Sequence, residues 1–206
     1  IMDCAEKCIY GRDLLKGKKV VVSAGGTQEK IDPVRFISNR SSGRQGYAIA
    51  KAAWMEGADV TLVSCTTALP APYGVKMVYV QDARELEKAM NAEYDSCDAA
   101  IMAAAVSDYR PTVQADQKIK KEDFDSLHID LTQNPDILYG LGQKKRGQFL
   151  VGFAAETQDV IEHGKSKLKR KNLDMLVAND VAMPGAGFNG TTNIASLLYK
   201  DGHMEP

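Results

Sequence analysis

Residues 18–57, KKVVVSAGGTQEKIDPVRFISNRSSGRQGYAIAKAAWMEG, constrain the fold more than any other part of the chain. The apolar run Val20-Val21-Val22 reads as a buried strand broken at Gly25-Gly26, and the Ala-rich stretch ending at Gly57 reads as a helix. Strand, glycine turn and helix together form the geometry that aims backbone N–H groups and a helix N-terminus at an anionic group. A strand and its following helix are ordinarily joined by ~2–6 residues, whereas about 20 intervene here. They carry Asp32-Pro33, Arg35, Asn39 and Ser41-Ser42-Gly43. A loop of that length inside a compact domain is as a rule functional. The rest of the chain reads as a sheet built to hold it.

Further strands are predicted over Lys18–Ser23, Asp59–Ser64, Val75–Val80, Ala99–Ala105, Phe149–Ala154, Met175–Ala178 and Ile194–Tyr199. Between them, helices are predicted over Gly46–Glu56, Ala83–Tyr94 with Asp82 as N-cap, from Asn134-Pro135-Asp136 onward, and over Thr157–Lys171. Gly57 is placed to end the first helix, and Pro135 to sit at an early helical position where its missing N–H does no harm. Lys118–Lys121 and Leu127–Thr132 alternate polar and apolar residues, as in a half-exposed antiparallel hairpin. The fold class is therefore α/β, a Rossmann-like doubly wound, mostly parallel sheet with a small antiparallel hairpin or flap excursion at about 112–132. Residues 1–17 read as a linker remnant and 18–206 as one domain. The start Ile-Met-Asp-Cys and the stop soon after a strand lead us to expect a piece of a longer protein.

Composition narrows the function classes. With 26 basic and 27 acidic residues the net charge is −1, which supplies no long-range field for nucleic acid or an anionic membrane. No apolar run reaches 18 residues, so no membrane partner is expected. Cys4, Cys8, Cys65 and Cys97 form no CxxC pair and read as free thiols of a reducing cytoplasm. His128, His163 and His203 share no ligand spacing, no metal ligands are assigned, and the G-x-S-x-G elbow of serine hydrolases is absent. A dinucleotide fingerprint would need G-x-G-x-x-G and an acidic end to the second strand. The chain has Ala24-Gly25-Gly26-Thr27 and Ser64-Cys65-Thr66. Tyr47 and Lys51 do form Y-x-x-x-K, which keeps an NAD(P)-dependent short-chain reductase as an alternative. On the first helix, however, the pair reads better as packing plus a surface lysine.

Four short motifs fall at the C-terminal ends of successive strands, where open α/β sheets bind ligands. They are residues 24–27, AAAVSDY (103–109), GFAAE (152–156) and ANDV (178–181). Small residues there let a ligand approach the main chain, Asp108 can accept hydrogen bonds from a base or ammonium, and Phe153 can stack on a ring. Lys118, Lys120 and Lys121 could converge with Lys167 and Lys171 on a triphosphate. The plainer reading is tight helix–sheet packing and a solvated lysine face.

Taken together, AGGTQEKIDPVRFISNRSSGRQG (24–46), AAAVSDYRP (103–111), KIKK (118–121), NPDIL (134–138), VGFAAET (151–157), KRKNLD (169–174) and ANDV (178–181) carry a resemblance. In that order, over nearly the whole chain, they resemble the phosphopantothenate–cysteine ligases (phosphopantothenoylcysteine synthetases). This is the synthetase domain of the bifunctional bacterial coenzyme A biosynthesis protein. The resemblance implies that CTP (ATP in eukaryotes) activates the carboxylate of 4′-phosphopantothenate as an acyl nucleotide, which the amine of L-cysteine then attacks. The first step fits a site poor in histidine, because a carboxylate is already ionised at neutral pH and needs positioning and charge neutralisation instead.

The resemblance also implies roles. Asn39 sits over the acyl phosphate, and Arg35 crosses a dimer interface to the neighbour's phosphopantothenate. Ala104, Ala105 and Asp108 line the pantothenate and nucleotide side. Lys118, Asn134, Phe153, Lys167 and Lys171 hold the base and triphosphate, with Lys118 on a flap in the dimerisation region. Gly25, Ser41, Ser42 and Gly43 supply main-chain donors. A homodimer is implied, as is Mg2+ held mainly by phosphate oxygens and water. By the resemblance, the family's flavin-dependent decarboxylase half and its last helix are expected to lie outside these 206 residues. A non-catalytic nucleotide-binding module stays open beside the reductase.

Overall fold

The computed structural model describes residues 2–121, 126–156, 160–180 and 195–205. Helix α1 (Met2–Tyr10) precedes β1 (Lys19–Ala24), and the long connection contains a hairpin, β2 (Gln28–Lys30) with β3 (Phe36–Ser38), before α2 (Arg44–Met55). Next come β4 (Asp59–Ser64), β5 (Lys76–Tyr79), α3 (Ala83–Tyr94) and β6 (Ala99–Met102). A second hairpin, β7 (Tyr109–Pro111) with β8 (Leu131–Gln133), leads to α4 (Ile137–Lys144). The chain continues through β9 (Phe149–Glu156), α5 (Val160–Arg170), β10 (Met175–Asp180), β11 (Ala195–Tyr199) and β12 (Met204–Glu205).

The main sheet runs β12-β11-β10-β9-β6-β1-β4-β5, parallel from β10 to β5, with β11 and β12 antiparallel at one edge. The order of its six parallel strands is that of a doubly wound sheet, with the reversal between β1 and β6. Strand β1 is central and buried on both faces. Val20, Val22 and Ala24 pack with Tyr47, Ala50 and Ala53 of α2, while Val21 joins Leu86 and Met90 of α3, Leu141 of α4 and Leu168 of α5. Period-two alternation thus feeds two cores from one strand, each aliphatic side chain contributing about 1.5–3 kcal/mol on burial. Gly46, Ala50 and Ala53 share one face of α2, and a Cβ on Gly46 would lie 2.6 Å from the Ala24 Cβ, so the helix seats directly on β1. It ends as expected: the N–H groups of Gly57 and Ala58 bond back to the carbonyls of Trp54 and Ala53.

Several expectations are corrected. The second hairpin pairs 109–111 with 131–133, not Lys118–Lys121 with Leu127–Thr132. Residues 115–119 are held by the β1–α2 connection instead: Ala115 N–H donates to the Ile31 carbonyl and Ile119 N–H to the Asp32 carboxylate. Residues 122–125 of that excursion lie outside the described residues. Strand β6 stops at Met102, because the Ala104 N–H turns to the Ser23 hydroxyl, and only Ala105 returns to the sheet, in a bridge with Gly26. Pro135 lies one residue before the N-cap of α4, which is Asp136, its carboxylate accepting from Tyr139 N–H. Strands β9 and β10 run on through Glu156 and Asp180, so the motifs expected after them lie within them, with Val181 outside the described residues. The short β12 was not foreseen.

Candidate functional site

At the carboxyl end of β1 the chain turns away from β6, and the crevice between them is built from small residues and main chain. Ala105 N–H donates to the Gly25 carbonyl at 2.8 Å, and Thr27 N–H to the Ala105 carbonyl at 3.2 Å. The Thr27 hydroxyl accepts from Ser107 N–H at 3.0 Å. These bonds lock Ala104 and Ala105 against the glycine turn. Gly25 and Gly43 have φ of 86° and 77°, and a Cβ on Gly43 would meet Thr66 Cγ2 at 2.9 Å and Gly25 N at 3.3 Å. The left-handed conformation disfavours a side chain at both, and the space is tight at each, tighter at Gly43. Gly43 is the N-cap of α2 and offers no side chain to its first N–H groups. Ser41 and Ser42 are half-buried just before it, with the Ser42 hydroxyl 3.5 Å from Arg44 N. A helix N-terminus beside a glycine turn is a ready place for an anion. Asn39 stands at the same rim: its carbonyl lies against Gly26, and its exposed amide donates to the Val106 carbonyl at 3.1 Å.

Asp32, which the motifs had not singled out as a site residue, organises the next layer. It is buried, and its Oδ1 accepts from the N–H groups of Val34 and Arg35, both at 2.8 Å. Its Oδ2 accepts from Arg35 Nε at 3.0 Å, from Arg35 Nη2 and from Ile119 N–H at 3.2 Å. Burial opposes its charge, but the Arg35 guanidinium and the three N–H groups outweigh that and hold its carboxyl well below the usual carboxylate range. Arg35 Nη2 also donates to the Ile119 carbonyl at 2.7 Å. Arg35 is thereby tied inside its own chain, and exposed Lys118 stands one residue from the tie. An Asp-Pro pair opening a turn was the signal available in the sequence.

Asp108 is exposed, and its carbonyl accepts from Asn134 N–H at 2.8 Å. The Asn134 amide is engaged at both ends, donating to the Ser107 carbonyl at 2.9 Å and accepting from Arg110 at 3.0 Å, so it braces β8 against the rim. Phe153 is half-buried on β9, one position beyond the Met102–Gly152 pair and so level with the end of β6. Lys167 is half-buried on α5. Lys171 follows that helix at the opposite end of the sheet, but its ammonium reaches back to Asp136 at 2.8 Å, two residues from Asn134. Gly25, Asn39, Gly43, Ala104 and Ala105 therefore meet in one rim, with Arg35 linked to the neighbour of Lys118. Lys171 is joined to the rim through Asp136.

The Y-x-x-x-K pair does not form a site. The Tyr47 hydroxyl is buried against Ser64 (3.0 Å) and the Thr66 carbonyl, and burial raises its pKa, while Lys51 pairs with Asp3 and Glu6 of α1 at 2.6 and 2.9 Å. The Cys65 thiol is pushed up to about 12 by burial, and by Glu29, Asp82 and Glu85 around it, so it is no nucleophile. No group of three His, Cys, Asp or Glu able to hold a metal occurs among the described residues.

The chain matches the family described as "DNA/pantothenate metabolism flavoprotein C-terminal domain" over residues 15–206. It is 50% identical over 195 residues to the coenzyme A biosynthesis bifunctional protein CoaBC of Vibrio cholerae, covering 94% of this chain and 49% of that protein. For CoaBC of Bacillus subtilis the identity is 48% over 190 residues, covering 92% and 47%. The chain thus spans about half the length of the curated relatives it matches. A crystal structure of the C-terminal domain of CoaBC superposes with a TM-score of 0.78 at 43% identity, covering 93% of this chain and 86% of that one. A Cab2 variant in complex with phosphopantothenate-cysteine shares the fold at 16% identity and a TM-score of 0.73, covering 99% of this chain and 84% of that one. By family match, sequence identity and fold, this chain belongs to the DNA/pantothenate metabolism flavoprotein C-terminal domain family, as a counterpart of the C-terminal domain of the CoaBC proteins.

Proposed function

We propose that this domain is a ligase of coenzyme A biosynthesis that joins 4′-phosphopantothenate to L-cysteine at the expense of CTP. The observation that carries the reading is the meeting of the Asn39 amide, the Gly25/Gly43 turn, the α2 N-terminus and Ala104-Ala105 in one crevice, next to the Arg35 tie that bears Lys118. Such a site is rich in donors and cations and offers no histidine general base, as activation of an ionised carboxylate requires.

In the first half-reaction a carboxylate oxygen attacks the α-phosphorus of CTP, the bond to the bridging oxygen breaks, and pyrophosphate leaves. In the second, the cysteine nitrogen bonds to the acyl carbon and loses a proton as the acyl–oxygen bond breaks and CMP departs. The second N–H of the Asn39 amide, which has no partner among the described residues and is oriented by its companion's bond to Val106, would hold the acyl oxygen where negative charge develops. Main-chain N–H groups of Ser41, Ser42 and Gly43 and the start of α2 would bind phosphate. Arg35 would bind the phosphate of phosphopantothenate, and Lys118 the nucleotide's phosphates. Asn134, Phe153, Lys167 and Lys171 would frame the nucleotide, with Asp108 between base and pantothenate. A Mg2+ ion would be held mainly by phosphate oxygens and water, with no protein ligand assigned, and its contribution would be to neutralise triphosphate charge.

A homodimer is part of the proposal. Val34 and Phe36 of the first hairpin region and Val113, Leu127, Ile129 and Leu131 of the second are exposed, and β2 lies against β7. Covering such apolar surface with a second copy would complete the site with the partner's Arg35. A decarboxylase domain as covalent partner fits the bifunctional relatives, and a cytoplasmic location fits the free thiols. No described helix is long and apolar enough to cross a membrane.

The test is pyrophosphate release from the purified protein with 4′-phosphopantothenate and Mg2+, comparing CTP with ATP, then adding cysteine. Substrate-dependent release with CTP, followed by CMP once cysteine is present, is expected. Release with ATP alone would change the nucleotide. CTP binding without release from a folded dimer would replace the ligase by a binding module.

A further inference from the structure

We infer that Asp32 is a positioning residue that sets Arg35 and the segment bearing Lys118 in one fixed relation. The structural half of this rests on geometry, and the functional half on the ligase reading.

A wholly buried carboxylate is tolerated only where its oxygens are filled by donors. The two oxygens of Asp32 are filled for different ends. Oδ1 takes the N–H groups of Val34 and Arg35, the bonds of an ordinary Asp-initiated turn, which Asn or Ser would make as well. Oδ2 takes no part in that turn. It accepts from two nitrogens of the Arg35 side chain and from Ile119 N–H, 87 residues along the chain. Three donors converging on one oxygen require an acceptor there, and negative charge suits the guanidinium best. The turn explains an Asx residue at position 32; only the second oxygen explains a carboxylate.

The consequence reaches both cations. Of the five guanidinium N–H donors of Arg35, three are committed to Asp32 and Ile119, leaving the pair on Nη1 with no partner among the described residues. Ile119 is gripped by its N–H and by its carbonyl together, and Ala115 N–H is tied to Ile31 a few residues earlier. Lys118 therefore leaves the backbone within one residue of a doubly fixed point. Asp32 decides which face of Arg35 is free for a phosphate, and how far from it Lys118 begins.

The substitution Asp32→Asn separates the two oxygens: with its carbonyl kept on the turn, its amide N–H groups would oppose three donors. In full-length protein, backbone hydrogen exchange over 115–121 is expected to quicken at least about tenfold, while exchange in the main sheet stays unchanged. The KM for 4′-phosphopantothenate should rise about tenfold or more, and Asp32→Asn added to Arg35→Ala should change KM by less than about twofold, because one pathway carries both effects. Should Asp32→Asn fail to fold, Arg35→Gln keeps the turn, removes the two guanidinium donors to Oδ2 and the donor to the Ile119 carbonyl, and must quicken the same exchange. Unchanged exchange over 115–121 in a folded variant overturns the inference. Fully additive KM effects overturn it as well. Absence of pyrophosphate release from the wild type overturns the ligase reading, and leaves the exchange measurement to decide the role of Asp32.

Discussion

The two ends of the main sheet use the same chemistry to opposite effect. At the amino end, Asp98 takes Lys18 Nζ at 3.0 Å and Lys19 N–H at 2.8 Å, while its carbonyl takes Phe149 N–H. Beside it, Asp174 takes Lys145 Nζ at 2.9 Å and Leu150 N–H at 2.8 Å. Each carboxylate there staples the starts of neighbouring strands, and Lys145 donates to the Asn172 carbonyl at 2.7 Å as well. At the carboxyl end, Asp32 likewise joins a cation to main-chain N–H groups, but its partners lie on connections, and the bonds leave two of the five guanidinium N–H groups without a partner among the described residues. The carboxylate–cation pairs of the amino end join strand to strand, whereas that of Asp32 joins one connection to another, where the proposed site lies.

The largest expected effect belongs to the open end. Asn39→Ala should let the acyl nucleotide form but lower turnover to the cysteine adduct at least about a hundredfold, as loss of an oxyanion donor does. Single-turnover quench with both products resolved checks this, and wild-type turnover would remove Asn39 from the mechanism. Next come two glycines at opposite ends. A Cβ on Gly46 would lie 2.7 Å from the Ser23 carbonyl, and one on Gly142 would lie 2.0 Å from the Lys171 carbonyl. Ala at either should destabilise by up to about 3 kcal/mol in urea titration. Only Gly46→Ala should also slow turnover at a temperature where both variants are folded, because it lifts the α2 N-terminus from the crevice. Equal kinetic effects would break the contrast between the ends.

Lys145→Met should cost about 1–2 kcal/mol by leaving the largely buried Asp174 short of its cation, with KM for every substrate unmoved. The smallest effect is on pH. The carboxyls of Asp32 and Asp98 are both held low, the first by Arg35 and N–H groups against its burial, the second by Lys19 N–H and Lys18. Below about pH 4 the unfolded chain takes up these protons before the folded chain does. The stability they supply is therefore complete above about pH 4 and lost as pH falls through their lowered values. Thermal unfolding should be flat with respect to them from pH 5 to 8 and weaken below about 4. Stability that climbed between pH 5 and 3 would contradict the assignment at both ends.

The alternation of strands and helices was legible in the chain because burial repeats with a period: β4 and α3, with Asp82 as its cap, fall at the expected residues. Gly25 and Gly43 stand where a positive φ and close approach of backbones favour glycine, whereas the roles of Ala104 and Ala105 rest on the resemblance. The β2–β3 hairpin was missed, its three-residue strands being too short for a period to show. The pairing of β7 with β8 was misjudged because Ile119, within the alternating stretch at 118–121, gives its N–H to Asp32 and its carbonyl to Arg35 rather than to a strand. Lys171 reads from the resemblance as a nucleotide-binding lysine, and nothing local tells of Asp136, which its ammonium meets in the fold.

By itself the sequence determined what local sterics and periodic burial determine: a central strand buried on both faces, an α2 that must sit flush on it, a glycine turn at its end, and a family signature spread over the chain. Only the tertiary structure decided which polar groups satisfy one another. Tyr47 and Lys51, four residues apart, are sent to different partners, whereas Asp32 and Ile119, 87 apart, share a hydrogen bond. Apolar burial is close to additive along a chain and leaves its period in the sequence. A hydrogen bond has direction and needs both partners in place, so it exists only once the fold has brought them together.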